Sequence, residues 1–275
     1  MKRQKRMALV NDVTGYGRCS IAVELPIVSA LKIQGCVLPT AILSVHTGFP
    51  TYYMDDYTDR MTPYINNWKD NGLAFDGILT GFLGSARQSD IVLQFIRDFK
   101  QKETTVIVDP VMGDYGRLYP SYTDEMCQRM RQLLTVADVI TPNLTEACRL
   151  LNISYPDGGN VSLDQLEQMA RALAAMGPSR LVMTGLHDGD WLLNYMYETG
   201  REPEIQRVKK IGSDRSGTGD VFAAIVAGQI IQGKPLSEAV RSAAAFISKA
   251  MVYTEELQLP HHCGLAFEEF LTDLR

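Results

Sequence analysis

The sequence lacks any apolar run long enough to cross a membrane. A membrane-spanning helix needs roughly 20 apolar residues, whereas the longest apolar stretch, Val221 to Ile231, is shorter and is interrupted by Gly228. The basic start is followed by only a few apolar residues before Asn11, which is too short for a secretory signal. We therefore expect residues 1–6 to form a solvated basic tail, and the protein to lie in the cytoplasm without membrane contact.

Positive charge is also scarce. The chain has 27 Lys and Arg against 32 Asp and Glu, so its formal net charge is −5. This balance gives no basic footprint for nucleic acid or for an anionic membrane surface. Any bound polyanion must therefore be held by a local site.

Cysteine is sparse and unpaired in the sequence. The five cysteines are scattered and form no C-x-x-C pair, which excludes a disulfide framework and the common zinc motifs. They are typical of small core residues in a reducing compartment.

The chain does have the material for a large core. It contains 275 residues, of which 45% are hydrophobic and 21% charged, as in an ordinary globular protein. This length fits one large α/β domain or two small ones. Because no repeat, low-complexity tract or linker interrupts it, we predict a single domain over residues 1–275.

Short β-branched runs alternate with longer helix-period segments, which predicts βαβ units and a mostly parallel sheet. The predicted strands are Met7–Val10, Val37–Leu43, Gly77–Thr80, Thr105–Asp109, Val139–Thr141 and Leu181–Thr184. The predicted helices between them are Ser20–Lys32, Asp55–Lys69, Ser85–Lys100, Thr123–Leu134 and Leu163–Met176. An antiparallel pair (191–198 and 205–210), two helices (218–232 and 237–252) and an amphipathic helix from residue 265 follow.

Polar residues follow several of these predicted strands: Asn11-Asp12, Thr80-Gly81, Asp109-Pro110, Thr141-Pro142-Asn143 and Thr184-Gly185. The carboxyl ends of parallel strands meet at one edge of a sheet, where ligands bind. The pattern therefore predicts a polar cleft, although polar residues also end strands without any function.

The sharpest local feature is the segment 214–220, DRSGTGD, which runs into the apolar stretch from Val221. A helix that is apolar nearly all round is buried, and its first N–H groups form an anion site that glycines leave open. Asp220 would lie beside a bound phosphate, where a carboxylate is useful as a proton acceptor or with a metal cation. The alternative is that Asp220 is only a first-turn acid favoured by the helix dipole.

Two other glycine-containing segments do not match nucleotide motifs. Residues 228–235 resemble a P-loop, but Pro235 replaces the hydroxyl that would bind Mg²⁺. Gly15 and Gly17 follow the first strand, but Ser20 stands where a dinucleotide fingerprint needs its third glycine.

The ordered set of motifs resembles the pyridoxal kinases, the vitamin B6 branch of the ribokinase-like superfamily. The matching segments are 46–49 (HTGF), 79–84 (LTGFLG), 109–114 (DPVMGD), 137–147 (ADVITPNLTEA) and 216–220 (SGTGD). The resemblance covers nearly the whole chain. It implies a ribokinase-like three-layer α/β/α fold with a mostly parallel central sheet and helices on both faces.

The resemblance also implies a reaction, the transfer of the ATP γ-phosphoryl group to the 5′-hydroxymethyl of pyridoxal, pyridoxine or pyridoxamine. Asp220 would take the proton from that alcohol. The backbone N–H groups of Gly217, Thr218 and Gly219 would hold the developing charge. Positioning and electrostatics supply most of the catalysis in such transfers.

The remaining site residues follow from the same resemblance. Asp109 and Glu146 would organise Mg²⁺, and a monovalent cation is possible. The residues expected at the nucleotide are Asp109, Asn143, Glu146, Thr184, Ser213, Ser216 and Thr218. The residues expected at the B6 substrate are Asn11, Thr47, Gly48, Phe82 and Asp220. Residues 114–122 would form a flap, and the chain would be a homodimer.

Several alternatives stay open at this point. Asn143 and Glu146 fit a helix capping box, N-x-x-E, as well as a metal site. Asn11-Asp12 replaces the Ser-His of many pyridoxal kinases, and Phe49 and Phe82 stand where those kinases carry tyrosine, which leaves the preferred substrate open. The alternative enzyme is a hydroxymethylpyrimidine (phosphate) kinase. The alternative of another class is a non-catalytic protein that binds a nucleotide or pyridoxal phosphate.

Overall fold

The structure is a computed structural model that describes residues 3–275. Met1 and Lys2 of the predicted basic tail lie outside the described residues. The described part of the tail is exposed, but Arg3 and Lys5 form ion pairs with Asp76 at 2.9 and 3.2 Å. Arg6 already belongs to the first strand, and its N–H donates to the Asp76 carboxylate at 2.9 Å.

The elements alternate as the sequence predicts. In chain order they are β1 (Arg6–Tyr16), α1 (Ile21–Ala30), β2 (Gln34–Val45), β3 (Met54–Asp56), α2 (Thr58–Asp70), β4 (Gly77–Thr80), α3 (Ala86–Phe99), β5 (Thr105–Val108), β6 (Gly113–Asp114), β7 (Arg117–Leu118), α4 (Asp124–Leu134), β8 (Val139–Ile140), α5 (Leu144–Leu151), α6 (Leu163–Ala174), β9 (Arg180–Asp188), β10 (Trp191–Glu198), β11 (Glu204–Lys209), α7 (Thr218–Ile231) and α8 (Leu236–Glu256). Short 3-10 turns lie at Asp157–Gly159, His261–Cys263 and Glu268–Leu274.

The chain divides into two compact units. The first contains the chain up to Phe82, together with Gln101–Thr104 and Ile211–Arg275. The second contains Leu83–Lys100 and Thr105–Lys210. That residues 1–275 form a single domain stays a prediction.

Each unit contributes strands in a defined order. In the first unit the order is β3-β2-β1-β4, in which β1 runs parallel to β2 and β4, and β3 is antiparallel to β2. In the second unit the order is β11-β10-β9-β8-β5, parallel from β5 to β9 and antiparallel at β10 and β11. The predicted three-layer α/β/α fold with a mostly parallel sheet is confirmed.

Helix α7 is buried as its sequence predicts. Nearly every residue from Val221 to Ile231 is buried, because the segment has no charged side chain and is apolar on all faces. Ile231 lies so close to Gly77 on β4 that a Cβ at Gly77 would meet its Cδ1 at 2.0 Å. This tight packing fixes the helix, and therefore its first turn, against the sheet of the first unit.

The structure differs from the sequence predictions at several places. Strand β1 does not stop at Val10 but continues to Tyr16, with a register shift between Asn11 and Val13. The edge strand β3 occupies the start of the helix predicted from residue 55. Helix α5 was not predicted, and the segment from residue 265 ends in a 3-10 turn. No helix in the described range 3–275 is long and apolar enough to span a membrane.

Candidate active site

The turn before α7 requires glycine at one position. Gly217 is the residue before the helix and has a left-handed φ of 78°. A Cβ there would lie 1.9 Å from the Arg18 carbonyl oxygen, whereas a Cβ at Gly219 would meet nothing within 4 Å. The Thr218 hydroxyl donates to the Arg215 carbonyl at 2.8 Å. The predicted helix start after a glycine turn is therefore present, with open space beside Gly219, and anion binding by its N–H groups stays a prediction.

Asp220 lies in the first turn of α7 and is half-buried. Its Oδ2 accepts the Ser20 backbone N–H at 2.8 Å, and its Oδ1 accepts from the Asn11 amide at 3.4 Å. Burial raises the pKa of Asp220 to about 6, the Asp12 carboxylate raises it further, and the two hydrogen bonds oppose the shift. A carboxyl with this pKa can accept a proton at neutral pH.

Asn11 is fully buried beside Asp220. Its Nδ2 donates to Glu24 at 2.8 Å as well as to Asp220. Its Oδ1 accepts the backbone N–H groups of Asp12 and Phe82, both at 2.9 Å. The two donor and two acceptor positions of the amide are therefore all engaged within the protein. Glycine at position 81 makes room for this side chain, since a Cβ there would meet Asn11 Nδ2 at 2.3 Å.

Asp12 forms a second buried carboxylate next to this cluster. Its Oδ1 accepts the Ser20 hydroxyl at 2.5 Å and its Oδ2 accepts the Thr14 hydroxyl at 2.6 Å. Burial raises the pKa of Asp12, and these hydroxyls oppose the shift. Ser20 thus binds two carboxylates, Asp12 through its hydroxyl and Asp220 through its N–H, and it does so at a φ of 54° that is strained for a non-glycine residue.

The other residues predicted for the substrate lie on the loop after β2 and after β4. Thr47 and Gly48 are exposed. The Gly48 N–H donates to Nδ1 of His46 at 3.1 Å, so Nε2 of that ring carries the proton and donates to the His262 carbonyl at 2.7 Å. Phe82 is half-buried, and its carbonyl accepts the Thr40 hydroxyl at 2.9 Å.

Phe49 completes an aromatic group on this loop. Its ring lies edge-on to the rings of His46, His262 and Tyr16, with centroids at 4.9, 4.5 and 5.9 Å. His46 is therefore held by packing and by two hydrogen bonds, as an interior histidine would be. Nothing in this arrangement gives it a proton-transfer role.

The acids predicted for magnesium lie in the second unit. Asp109 follows β5, is buried and accepts the Thr141 hydroxyl at 2.9 Å. Glu146 lies in the first turn of α5 and is buried, and its carboxylate accepts the N–H groups of Met112 at 3.1 Å and Asn143 at 2.8 Å. Burial and the neighbouring Asp109 carboxylate raise the pKa of Glu146 well above its usual value.

The structure contains the helix capping box that is the alternative role of Glu146. The Asn143 Oδ1 accepts the Glu146 N–H at 3.0 Å while the Glu146 carboxylate accepts the Asn143 N–H, which is a complete capping box. Glu146 therefore has a structural role at the start of α5, whether or not it also faces a metal ion.

The chemistry of these acids fits Mg²⁺. A buried carboxylate whose pKa is raised by a second one would be stabilised by a cation. Mg²⁺ is usually held by one or two carboxylates together with water and phosphate oxygens. Within residues 3–275, no cluster of three or more His, Cys, Asp and Glu side chains could enclose a metal ion. The pair of carboxylates fits an ion whose remaining ligands would be water and phosphate oxygens.

The remaining predicted nucleotide residues divide between the two units. In the second, Thr184 is half-buried and its backbone bridges to Asn143, whose Nδ2 donates to the Gly113 carbonyl at 2.8 Å. In the first, Ser213 is exposed and Ser216 is half-buried. These positions are consistent with ligand contact, which stays a prediction for each of them.

The predicted flap is a short hairpin of β6 and β7 within the second unit. The Gly116 N–H donates to the Thr145 hydroxyl at 2.8 Å, and the Tyr119 N–H donates to the Met112 carbonyl at 2.9 Å. The Tyr115 ring lies exposed at its tip, 6.3 Å from the His187 ring. The hairpin is thus anchored on α5.

Sequence reasoning did not assign roles to Ser20, Glu24 or Arg215. The Arg215 guanidinium donates to the Leu259 and Pro260 carbonyls at 2.6 and 3.1 Å and to Glu255 at 2.8 Å, which ties the glycine-rich turn to a distant segment. Among these three, Arg215 carried a local signal, as the basic residue of the segment 214–220. The other contacts join distant parts of the chain.

Known proteins resemble this chain in sequence and in fold. A sequence model described as phosphomethylpyrimidine kinase matches residues 24–265. The pyridoxal kinase of Arabidopsis thaliana is 32% identical over 195 residues, which cover 67% of this chain and 61% of that protein. The hydroxymethylpyrimidine/phosphomethylpyrimidine kinase of Haemophilus influenzae is 31% identical over 179 residues, which cover 62% of this chain and 63% of that protein. The match thus spans less than two thirds of either relative.

A solved structure covers the chain more completely. The crystal structure of a candidate phosphomethylpyrimidine kinase from Bacteroides thetaiotaomicron, in a form with pyridoxal, has a TM-score of 0.95 and 37% identity to this chain. The alignment covers 99% of this chain and 96% of that one. With its SGTGD turn and its α/β/α fold, the chain belongs to the phosphomethylpyrimidine kinase family of the ribokinase-like superfamily, which also includes pyridoxal kinases.

Proposed function

We propose that this protein transfers the γ-phosphoryl group of ATP to the 5′-hydroxymethyl group of a B6 vitamer: pyridoxal, pyridoxine or pyridoxamine. The observation that carries the proposal is Asp220, a carboxyl with a pKa of about 6 in the first turn of an open glycine-rich helix start. Pyridoxal in the crystal form of the 37% identical Bacteroides protein supports the choice of substrate.

The chain's own residues divide the work of the transfer. Asp220 accepts the proton of the attacking hydroxymethyl group, since its pKa leaves it ionised at neutral pH yet basic enough to take a proton. The N–H groups of Gly217, Thr218 and Gly219 stabilise the charge that develops on the transferred group. Asp109 and Glu146 would hold Mg²⁺ and its waters, and that ion would neutralise phosphate charge.

The other predicted residues complete the two ligand sites. Asn143, Thr184, Ser213, Ser216 and Thr218 would contact the nucleotide, and Thr47, Gly48 and Phe82 would contact the vitamer. Asn11 serves the substrate through Asp220, because the polar positions of its amide are engaged by protein groups. We also expect a homodimer, which light scattering of the purified protein would test.

A direct assay tests the proposal. Purified protein with Mg²⁺ and ATP is incubated separately with pyridoxal, pyridoxine, pyridoxamine and hydroxymethylpyrimidine, and the phosphorylated product is measured. We expect turnover of at least one B6 vitamer. Folded protein that phosphorylates none of the three would overturn the proposal, and ATP-dependent turnover of hydroxymethylpyrimidine alone would replace it.

The second candidate is hydroxymethylpyrimidine or phosphomethylpyrimidine kinase activity. The description of the family model and the Haemophilus relative favour it. Both substrates carry a hydroxymethyl group on a nitrogen heteroaromatic ring, so the same base could serve either. A non-catalytic binding protein is less well supported, because a carboxylate beside a bound phosphate is costly unless it accepts a proton or faces a cation.

A further inference from the structure

We propose that Asp12 is a positioning residue for Asp220, acting through Ser20 to fix the base carboxylate and to place a second negative charge beside it. The inference rests on the proposed function, in which Asp220 is the base. It adds a residue to which the resemblance assigns no role, since many pyridoxal kinases carry histidine where this chain has Asp12.

The first step is geometric. Ser20 has a φ of 54°, a backbone conformation that is strained for a non-glycine residue and persists only where its surroundings impose it. Its hydroxyl donates to Asp12 at 2.5 Å, and its N–H donates to Asp220 at 2.8 Å. The hydroxyl bond to Asp12 is therefore what holds the Ser20 N–H in the direction of Asp220.

The second step concerns the anchoring of Asp12 itself. It lies in β1 at the register shift between Asn11 and Val13, is 5% exposed, and has its other oxygen bound by the Thr14 hydroxyl. Because both of its oxygens are hydrogen-bonded within a strand, the Asp12 carboxylate has a fixed position. It can therefore fix the position of the Ser20 hydroxyl.

The third step is electrostatic. The Asp12 carboxylate raises the pKa of Asp220 in addition to the effect of burial. The other ionisable side chains near these two carboxylates include Glu24 on α1, which is bound to Asn11, the Cys19 thiol, and the His46 ring on the loop after β2. Burial, Asp220 and Asp12 raise the pKa of Cys19 to about 12, so its thiol stays neutral. Asp12 is thus the charged group that raises the pKa of the proposed base, Asp220, beyond the effect of burial.

The test is the isosteric variant Asp12→Asn, which keeps an oxygen for the Ser20 hydroxyl but removes the charge. We expect the acidic limb of the kcat profile to move to lower pH by about 0.5 to 1 unit, as loss of a neighbouring like charge predicts. Titration of ¹³C-labelled aspartate carboxyls should show the same shift for the signal absent in Asp220→Asn. An unshifted limb and an unshifted signal in folded Asp12→Asn would overturn the proposal.

A second variant covers the case in which Asp12→Asn does not fold. Ser20→Gly removes the hydroxyl and relieves the positive φ, so it should fold. We expect kcat to fall on the order of tenfold, as misplacement of a catalytic group does, with the KM for ATP unchanged. Where Asp12→Asn folds, the double variant should combine the shifted acidic limb of Asp12→Asn with the lowered kcat of Ser20→Gly, because the first removes the charge and the second removes the hydroxyl contact. Unchanged kcat in Ser20→Gly would overturn the proposal.

Two controls separate this proposal from its foundation. Asp76→Asn removes another buried carboxylate, one that faces Arg3 and Lys5 instead, and should leave the acidic limb in place. If Asp220→Asn keeps its turnover, the base assignment and the proposed mechanism fail, whatever Asp12→Asn does. If Asp220→Asn is inactive while Asp12→Asn and Ser20→Gly behave as wild type, only the role of Asp12 fails.

Discussion

The backbone N–H of Ser20 donates to the Asp220 carboxylate across 2.8 Å, although the two residues are 200 positions apart in the chain. The contact joins the residue before α1 to the first turn of α7, within one compact unit. It means that the geometry of the proposed base depends on the loop after β1 as much as on its own motif. The predictions below concern this carboxylate, the turn that carries it and the acids proposed for magnesium.

Replacement of Asp220 by asparagine should remove the base while keeping an oxygen for the Ser20 N–H. We expect kcat to fall at least about 100-fold, the usual contribution of general base catalysis, with little change in nucleotide affinity. Steady-state kinetics and calorimetric titration with Mg²⁺-ATP would measure both quantities. Retained turnover would show that another group takes the proton.

The pH dependence of turnover follows from the raised pKa of Asp220. Because the carboxyl must be ionised to accept a proton, kcat should decline as the pH falls through about 6. An unperturbed aspartate would instead hold activity to roughly pH 4. The profile is measured with the preferred vitamer at saturating ATP, and a limb near pH 4 would contradict the raised pKa of Asp220.

The raised pKa of Asp220 also predicts how stability depends on pH, in the direction opposite to that of kcat: stability falls as the pH rises. A carboxyl whose pKa is 3.8 when unfolded and about 6 when folded favours the native state less as the pH rises through that window. Neutral asparagine at position 220 should therefore stabilise the protein above pH 6 by on the order of 1–3 kcal/mol. Thermal melts should show a gain at pH 8 that shrinks at pH 5. A pH-independent difference would contradict this linkage.

The two glycines of the turn should respond differently to alanine. Gly217→Ala forces a Cβ toward the Arg18 carbonyl at 1.9 Å and a left-handed φ, so we expect a loss of roughly 2 kcal/mol or more. Gly219→Ala has open space and an ordinary φ, and it should keep the melting temperature within error while lowering kcat by crowding the phosphate. Equal melting temperatures for the two variants would contradict the described turn.

The capping box of α5 allows a clean test of the metal role of Glu146. Helix α6 uses glutamine, Gln165, in the same capping-box position with Ser162, so Glu146→Gln should preserve the helix start. If Glu146 also organises Mg²⁺, the variant should need several-fold more Mg²⁺ for half-maximal activity, since the ion loses a charged ligand. An unchanged Mg²⁺ requirement in a folded variant would leave Glu146 a capping residue only.

Features that depend on neighbours in sequence were predictable. The helix start after the glycine-rich turn and the first-turn position of Asp220 follow from the SGTGD segment and the apolar residues after it, and the alternation of runs predicts the parallel sheet. The Asn143–Glu146 box was visible as N-x-x-E. Local pattern sufficed in these cases because each feature is made by residues a few positions apart.

Features that depend on distant pairing were not predictable. Strand β1 continues past Asn11 because β2 supplies pairing partners as far as Tyr16, with one register shift. Nothing in the sequence of the segment 11–16 predicts that pairing. Ser20 looked like an ordinary residue at the start of a helix. Its φ of 54° and its two carboxylate contacts exist only because β1 and α7 meet there. The same holds for Asn11, whose partners come from three separate segments.

Two arginines near the proposed base, Arg18 and Arg215, both bind residues 259–268, a stretch of chain that contains none of the matching motifs. Arg215 donates to the carbonyls of Leu259 and Pro260, and Arg18 donates to the carbonyl of Cys263 at 3.1 Å and to Glu268 at 2.6 Å. Arg18 also supplies the carbonyl that excludes a side chain at Gly217. This stretch therefore acts as a brace between the two loops that build the base. Substitutions in this stretch would lower activity by weakening the support of the two loops that position Asp220. An interpretation of the sequence from motifs alone would wrongly treat them as neutral.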